Sequence, residues 1–228
     1  MARLPRAEVP GWPQLVQQRS HDGVPWIRDE VDGLRALADL KEVSAAAGVQ
    51  VHAYAIVAEQ MLLLVTPDAP AGVSRMMQAF GRRYVGAFNR RHARAGTLWA
   101  GRYRSAMLDP AHFLLDAMVM VDALGAGRVG GLAFTSLAHH LGQGAERWLV
   151  DHSAYWALGN TPFERHLSWA RRVELGLDAA IRDRLLAGLR GGWPIISGEQ
   201  VSVLEAAAGR RLAPARRGRP KKIQPDPN

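Results

Sequence analysis

The sequence contains no cysteine. This absence excludes disulfide bridges, thiolate metal sites and cysteine nucleophiles, so only histidine, aspartate and glutamate remain as metal ligands. Lysine is also scarce, because it occurs only at positions 41, 221 and 222. The excess of 29 basic over 21 acidic residues is therefore carried almost entirely by arginine. Because the arginine guanidinium binds phosphate through paired hydrogen bonds and stacks on bases, this composition favours a nucleic acid as partner.

Long hydrophobic runs are missing as well. No segment is apolar over the length that a signal peptide or a membrane span requires, so we expect a cytoplasmic protein that does not bind membranes. Hydrophobic residues nevertheless make up 48% of the 228 residues. That proportion predicts a globular protein with a packed core instead of a disordered chain.

The hydrophobic pattern of the first half alternates between strand and helix periods. It predicts strands at 15–19, 49–57, 61–66 and 102–108, and helices at 29–47, 71–92 and from Pro110 onward. This order indicates an α+β fold of the ferredoxin-like type, in which a four-stranded antiparallel sheet carries helices on one face.

The second half predicts helices at 151–175, 177–189 and 199–209, and then a tail without apolar periodicity. We therefore expect a first domain over 1–132, a helical C-terminal extension over 133–212 and a flexible basic tail over 213–228.

One segment concentrates positive charge. No acidic residue occurs between Asp68 and Asp109, and the aromatic residues Tyr84, Phe88, Trp99 and Tyr103 are interleaved with eight arginines there. Alternating arginine and aromatic side chains can hold phosphates while unpaired bases stack on the rings. Tyr84 and Phe88 follow the apolar stripe of the helix and are assigned to the core, whereas for Trp99 and Tyr103 core and base contact remain equally open. The predicted DNA contacts in this segment are Arg82, Arg83, Arg90, Arg91, Arg94, Trp99, Arg102, Tyr103 and Arg104.

The C-terminal tail is a second basic signal. Its Gly-Arg-Pro centre resembles an AT-hook, an extended element whose arginine enters the minor groove of A·T-rich duplex. We therefore add Arg217, Arg219 and Lys221 to the predicted DNA contacts. A tail that serves only solubility is the alternative.

Several stretches together carry a family resemblance. They are MARLPR at 1–6, VHAY at 51–54, FNRRH at 88–92, GTLW at 96–99, GRYRS at 101–105, YWALGNTP at 155–162 and RRGRPK at 216–221. In these motifs the chain resembles the REP-associated tyrosine transposases, which are single-tyrosine HUH transposases of the insertion-sequence-200 type. The resemblance implies a transposase-like domain of HUH type in the first 132 residues and DNA as the partner.

The resemblance fails at the positions that carry the chemistry. Members of the family hold Mg²⁺ or Mn²⁺ with two histidines spaced two apart on a strand, where this chain has Gln60 and Leu62. The tyrosine nucleophile and a polar residue one turn later correspond to Met120 and Leu124. Leucine has no ligand atom, and a thioether cannot form the phosphotyrosine-type intermediate. We therefore expect no metal cofactor and no DNA cleavage.

The leading hypothesis is a DNA-binding protein, a monomer or homodimer, that recognises single-stranded or hairpin DNA such as repetitive extragenic palindromes. One alternative is a transposase or nickase with a rearranged site that uses Glu59, Asp109 or Asp122 for metal and Tyr103 or Tyr84 as nucleophile. Another is a decaying gene product or a protein-interaction scaffold. The remaining histidines are assigned structural or surface roles, namely His52, His92, His112, His139 and His140.

Overall fold

A five-stranded antiparallel sheet forms the centre of the protein. The computed structural model describes residues 6–125, 132–197, 200–209 and 211–212. The strands are β1 (Gln14–Arg19), β2 (Val49–Val57), β3 (Gln60–Pro67), β4 (Arg104–Met107) and β5 (Ala133–Thr135). Their order is β4-β1-β3-β2-β5. Strands β1 to β4 match the four predicted strands and are antiparallel, and β5 is a fifth strand at the edge of β2 that the sequence did not predict.

Helices flank the sheet. They are α1 (Glu30–Ala47), α2 (Gly72–Arg91), α3 (Pro110–Asp122), α4 (Leu137–His140), α5 (Ser153–Trp156), α6 (Pro162–Leu175), α7 (Ala179–Gly191) and α8 (Val201–Ala208). Local signals set several of these ends. Asp29 caps the first turn of α1 by accepting from the Asp32 amide, and Gly48 ends the helix in the left-handed conformation.

The helix predicted over 151–175 is two helices instead. Thr161 and Glu164 form a capping box that begins α6, with Pro162 in its first turn. The chain between α5 and α6 is therefore a break that the apolar periodicity did not reveal.

The helices cover both faces of the sheet, which corrects the expectation of helices on one face. Leu63 packs with α1 and α2 on one face, whereas its neighbour Leu62 packs with α3, α6 and α7 on the other. Strands β2 and β3 are buried on both faces, and this explains why they read as continuous apolar runs.

Strand β5 was missed because it is short. Its three residues pair with Ala55, Ile56 and Val57 of β2. A strand of this length shows no measurable alternation in the sequence. Across the described ranges, no helix combines the length and the apolar character needed to cross a bilayer.

Candidate nucleic-acid interface

A groove lies between α2 and the chain that leads into β4. It encloses about 930 Å³. Helix α2 contributes Arg75 and Arg82, which are seven residues apart and therefore lie on the same side of the helix. The opposite wall contains Trp99, Arg102 and Tyr103. Predicted DNA contacts that are distant in sequence thus share one concave surface.

The aromatic side chains form a fixed floor for this groove. The half-buried Trp99 ring packs edge to face on Trp26, with 5.1 Å between ring centroids. Tyr103 is held by a hydrogen bond of 2.8 Å between its hydroxyl and that of Ser74, and the Arg6 guanidinium lies 3.7 Å above its ring centroid. Trp99 and Tyr103 therefore pack against the core and also line the groove. The sequence had left core and base contact equally open for both residues.

A second groove of about 380 Å³ continues from the first, since Arg102 belongs to both. It adds Arg19 from β1 and Arg104 from β4. Its wall also includes Gln17, whose amide donates to Oε1 of Gln60 at 2.9 Å. A single hydrogen bond therefore joins the wall of the second groove to Gln60. Gln60 is the position to which the sequence resemblance assigns the first metal ligand of the transposases.

Four of the predicted DNA contacts are exposed and have no ion pair within the part of the chain that the structure describes. They are Arg82, Arg90, Arg102 and Arg104. Three of the four line the grooves, whereas Arg90 lies outside them near the end of α2. Arg19 and Arg75 were not among the predicted contacts, and only the sheet order and the helix face bring them to the same surface.

Two other arginines of the segment are bound to acidic side chains of α1 and its cap. Arg83 forms an ion pair with Glu42, and Arg91 forms ion pairs with Asp29 and Asp32. The hydrogen bonds that Arg91 donates to Asp29 and Asp32 raise the pKa of Arg91, and the guanidinium lowers the pKa of Asp29. Acidic side chains of α1 and its N-cap therefore neutralise part of the positive charge that the arginines between positions 68 and 109 carry. Neither arginine lines a groove.

The remaining predicted contacts are placed differently. Arg94 is half-buried, with its guanidinium 5.9 Å from the Phe88 ring centroid. Arg217, Arg219 and Lys221 of the tail lie outside the described residues.

Gln60, Leu62, Met120 and Leu124 are the positions to which the sequence resemblance assigns the family's catalytic residues. They lie on one face of the sheet. Leu62 is buried in the cluster beneath α3, and Met120 and Leu124 pack against the same cluster. Gln60 is two residues before Leu62 and thus faces the same side. These side chains offer a single amide oxygen, already bonded to Gln17, so they do not fit the Mg²⁺ or Mn²⁺ ion that the family implies.

Two of the three acidic side chains proposed for a rearranged nickase lie far apart. Asp109 caps the first turn of α3 and Asp122 ends the same helix, about 20 Å away at 1.5 Å per residue. Tyr84 is buried, and its hydroxyl donates to the Trp26 carbonyl at 2.6 Å. Glu59 lies in the turn between β2 and β3, and burial raises the pKa of Tyr103 in the groove.

Three of the histidines have clear structural partners. His52 is buried between the Val150 carbonyl and Thr66. His92 contacts Asp32 at 2.9 Å, and the exposed His112 contacts Asp109 at 2.8 Å.

No protein-family model matches the chain, and no curated protein matches it. Among solved structures, a REP-associated tyrosine transposase bound to a REP hairpin is similar at 13% identity and a TM-score of 0.46, covering 68% of this chain and 96% of that one. A candidate transposase from Deinococcus radiodurans R1 is similar at 21% identity and a TM-score of 0.36, covering 46% of this chain and 84% of that one.

Proposed function

We propose that this chain binds single-stranded or hairpin DNA in the groove between α2 and β4 and does not cleave it. One observation carries the proposal: exposed arginines that form no ion pair with any described residue line a continuous groove whose floor is aromatic. Arginines in such an arrangement bind backbone phosphates, and the rings accept unpaired bases by stacking.

The aromatic floor favours unpaired over duplex DNA. Bases inside a duplex are already stacked on one another, so the rings of Trp99 and Tyr103 can receive only bases from loops, ends or single strands. A hairpin offers unpaired bases beside a stem whose phosphates can reach the arginines of the second groove. The floor needs no large rearrangement, since both rings are already fixed by their contacts.

The expected loss of cleavage rests on the side chains beside the second groove. Gln60, Leu62 and Met120 supply neither a pair of metal ligands nor a nucleophile. A phosphodiester in the second groove would lie near the Gln60 amide, and the buried Leu62 behind it offers no ligand atom. Binding without scission therefore fits this arrangement best.

The first experiment measures the contribution of the groove arginines. We compare wild type with an Arg82→Ala/Arg102→Ala variant, and with an Arg147→Ala/Arg171→Ala control that removes two exposed arginines from outside both grooves. Fluorescence anisotropy with labelled hairpin, single-stranded and duplex DNA is recorded over a series of salt concentrations. Each phosphate contact on a single strand contributes about −0.7 to the log-log slope of affinity against salt.

The groove variant should therefore lose affinity and have a slope shallower by about 1.4, whereas the control should keep the wild-type slope. Unpaired DNA should bind more tightly than duplex. A wild-type slope near zero, or an equal loss in the control, would show that the grooves do not hold the phosphates.

A second experiment tests the absence of cleavage. The protein is incubated with hairpin DNA and Mn²⁺ and analysed on a denaturing gel, where a covalent protein–DNA adduct migrates as a distinct band. We expect no adduct. An adduct that disappears in a Tyr103→Phe variant would replace our proposal by the rearranged nickase.

A further inference from the structure

A cluster of potential metal ligands lies at the opposite edge of the sheet from β4. It consists of His139 and His140 at the end of α4 and Asp151, which precedes α5. One ligand atom from each side chain lies within 4.8 Å of the others. Nε2 of His139 and Oδ1 of Asp151 are 3.2 Å apart.

The environment of His140 is the observation that indicates a bound ligand. Its side chain is fully buried, and its Nδ1 lies 2.6 Å from Oδ2 of Asp122. Because the Asp122 carboxylate can only accept, the His140 proton resides on Nδ1, and a lone pair remains on Nε2. That Nε2 is buried and has no hydrogen-bond partner among the described residues. A buried acceptor without a partner is unfavourable, and a cation would satisfy it.

Asp122 gives His140 the arrangement typical of metal-binding histidines. In such sites the ring nitrogen that does not bind the ion donates to a carboxylate, which fixes the tautomer and the ring orientation. Ser136 and Trp169 also donate to Asp122, at 2.5 and 3.0 Å, so the carboxylate is itself held in place.

We propose that His139, His140 and Asp151 bind one divalent transition-metal cation of the zinc type, with water as the fourth ligand. Ligand atoms about 2.1 Å from a tetrahedral ion lie about 3.4 Å from one another, so the His139–Asp151 distance already fits. The imidazole and carboxylate donors suit Zn²⁺ or Co²⁺. His139 and Asp151 are partly exposed and provide the route of entry.

Binding requires one local change. Nδ1 of His139 accepts from the backbone amide of Glu146 at 3.1 Å, so its proton now lies on Nε2. An ion on Nε2 moves this proton to Nδ1, so the hydrogen bond from Nε2 to Asp151 and the hydrogen bond from the Glu146 amide to Nδ1 must both open. Two hydrogen bonds are a small cost beside the coordination of a divalent cation.

The ion would have a structural role. Val150, next to Asp151, donates its amide to the Val51 carbonyl of β2, so the cluster lies against this side of the sheet. A cation would tie Asp151 to the end of α4 and clamp the intervening chain. The site is separate from the DNA grooves and from the positions of Gln60 and Leu62, and it does not depend on the proposed function.

The test uses the full-length protein without a histidine tag, treated with chelator and then dialysed. Co²⁺ is added while visible absorption is recorded, and Zn²⁺ binding is measured by calorimetry. We expect one equivalent of either ion, with Co²⁺ giving the visible bands of a four-coordinate site. Zn²⁺ should also raise the thermal unfolding midpoint of the wild type.

The variants locate the site. Asp151→Asn and His139→Gln should each weaken Zn²⁺ binding at least 10-fold, and Asp122→Asn should weaken it about 10- to 100-fold through His140. The control is His112→Gln, which removes a histidine from another histidine–aspartate pair and should leave the affinity unchanged.

Two results would overturn the site. One is the absence of stoichiometric Co²⁺ or Zn²⁺ uptake by the wild type, which needs no variant to be decisive. The other is unchanged affinity in a folded Asp151→Asn or His139→Gln protein, since folding is checked for each by circular dichroism. Equal weakening in His112→Gln would likewise count against this cluster.

Discussion

His52 should make the stability of this protein depend strongly on acid. Its ring is 2% exposed on strand β2. Nδ1 lies 2.6 Å from the Val150 carbonyl, which can only accept, and Nε2 lies 2.8 Å from the Thr66 hydroxyl. The neutral ring therefore donates to Val150 and accepts from Thr66, so both nitrogens are satisfied without a positive charge.

Burial sets the size and the sign of the effect. It lowers the pKa of His52 from 6.5 to about 4. Protonation therefore favours the unfolded chain, and the stabilisation is complete above pH 6.5 and is lost as the pH falls toward 4. At about 1.4 kcal/mol per pH unit the full effect is roughly 3 kcal/mol, of which about 2 kcal/mol should disappear between about pH 7.5 and 5.

The assay is urea unfolding, followed by circular dichroism at several values of pH with chelator present. Wild type is compared with His52→Gln, whose amide can still donate and accept but does not titrate. The variant should be less stable at pH 7.5, and the difference between the two proteins should shrink by about 2 kcal/mol at pH 5. Other titrating groups are common to both proteins, so the comparison isolates His52.

A parallel decline of the two proteins with pH would refute this reasoning. It would mean that His52 titrates near its ordinary pKa in the folded protein, through water access or rearrangement of the Val150 contact.

Three further predictions concern the core, the DNA groove and the lost active site. Asp122→Ala leaves two buried donors, His140 Nδ1 and Trp169 Nε1, without an acceptor at about 1–3 kcal/mol each, so urea unfolding should show a loss of several kcal/mol or a protein that does not fold. Trp99→Leu should weaken single-stranded DNA binding by about 1–3 kcal/mol without changing its salt slope, because stacking and not a phosphate contact is removed. The triple variant Gln60→His, Leu62→His, Met120→Tyr should take up more Mn²⁺ than the wild type in calorimetry, and equal uptake by the two proteins would show that the three positions do not form one site.

The elements with strong local signals were predictable. Helix α1 is one example, since a capping aspartate, helical periodicity and a terminal glycine agree along the sequence. Strands β2 and β3 are another, because their apolar runs are long and β-branched. Their predicted positions are confirmed within one residue.

Other features were not predicted. The sequence does not show which side of β3 a helix will cover, so the second layer of helices was missed. The break before α6 does have a local signal, the capping box of Thr161 and Glu164, but the helical apolar pattern on both sides of it hid the break. The positions of Arg19 and Arg75 in the grooves depend on strand order and helix face, which join residues far apart in the chain.

The sequence by itself determined the absence of thiol chemistry, the arginine-rich segment and the order of the main elements. These are properties of residue type and local period. Only the tertiary structure decided which arginines are neutralised by α1, which ones line a groove, and that two histidines meet Asp151 beside a buried Asp122. Ion pairs, grooves and ligand clusters depend on distances between side chains, and packing sets those distances between segments that no local pattern connects.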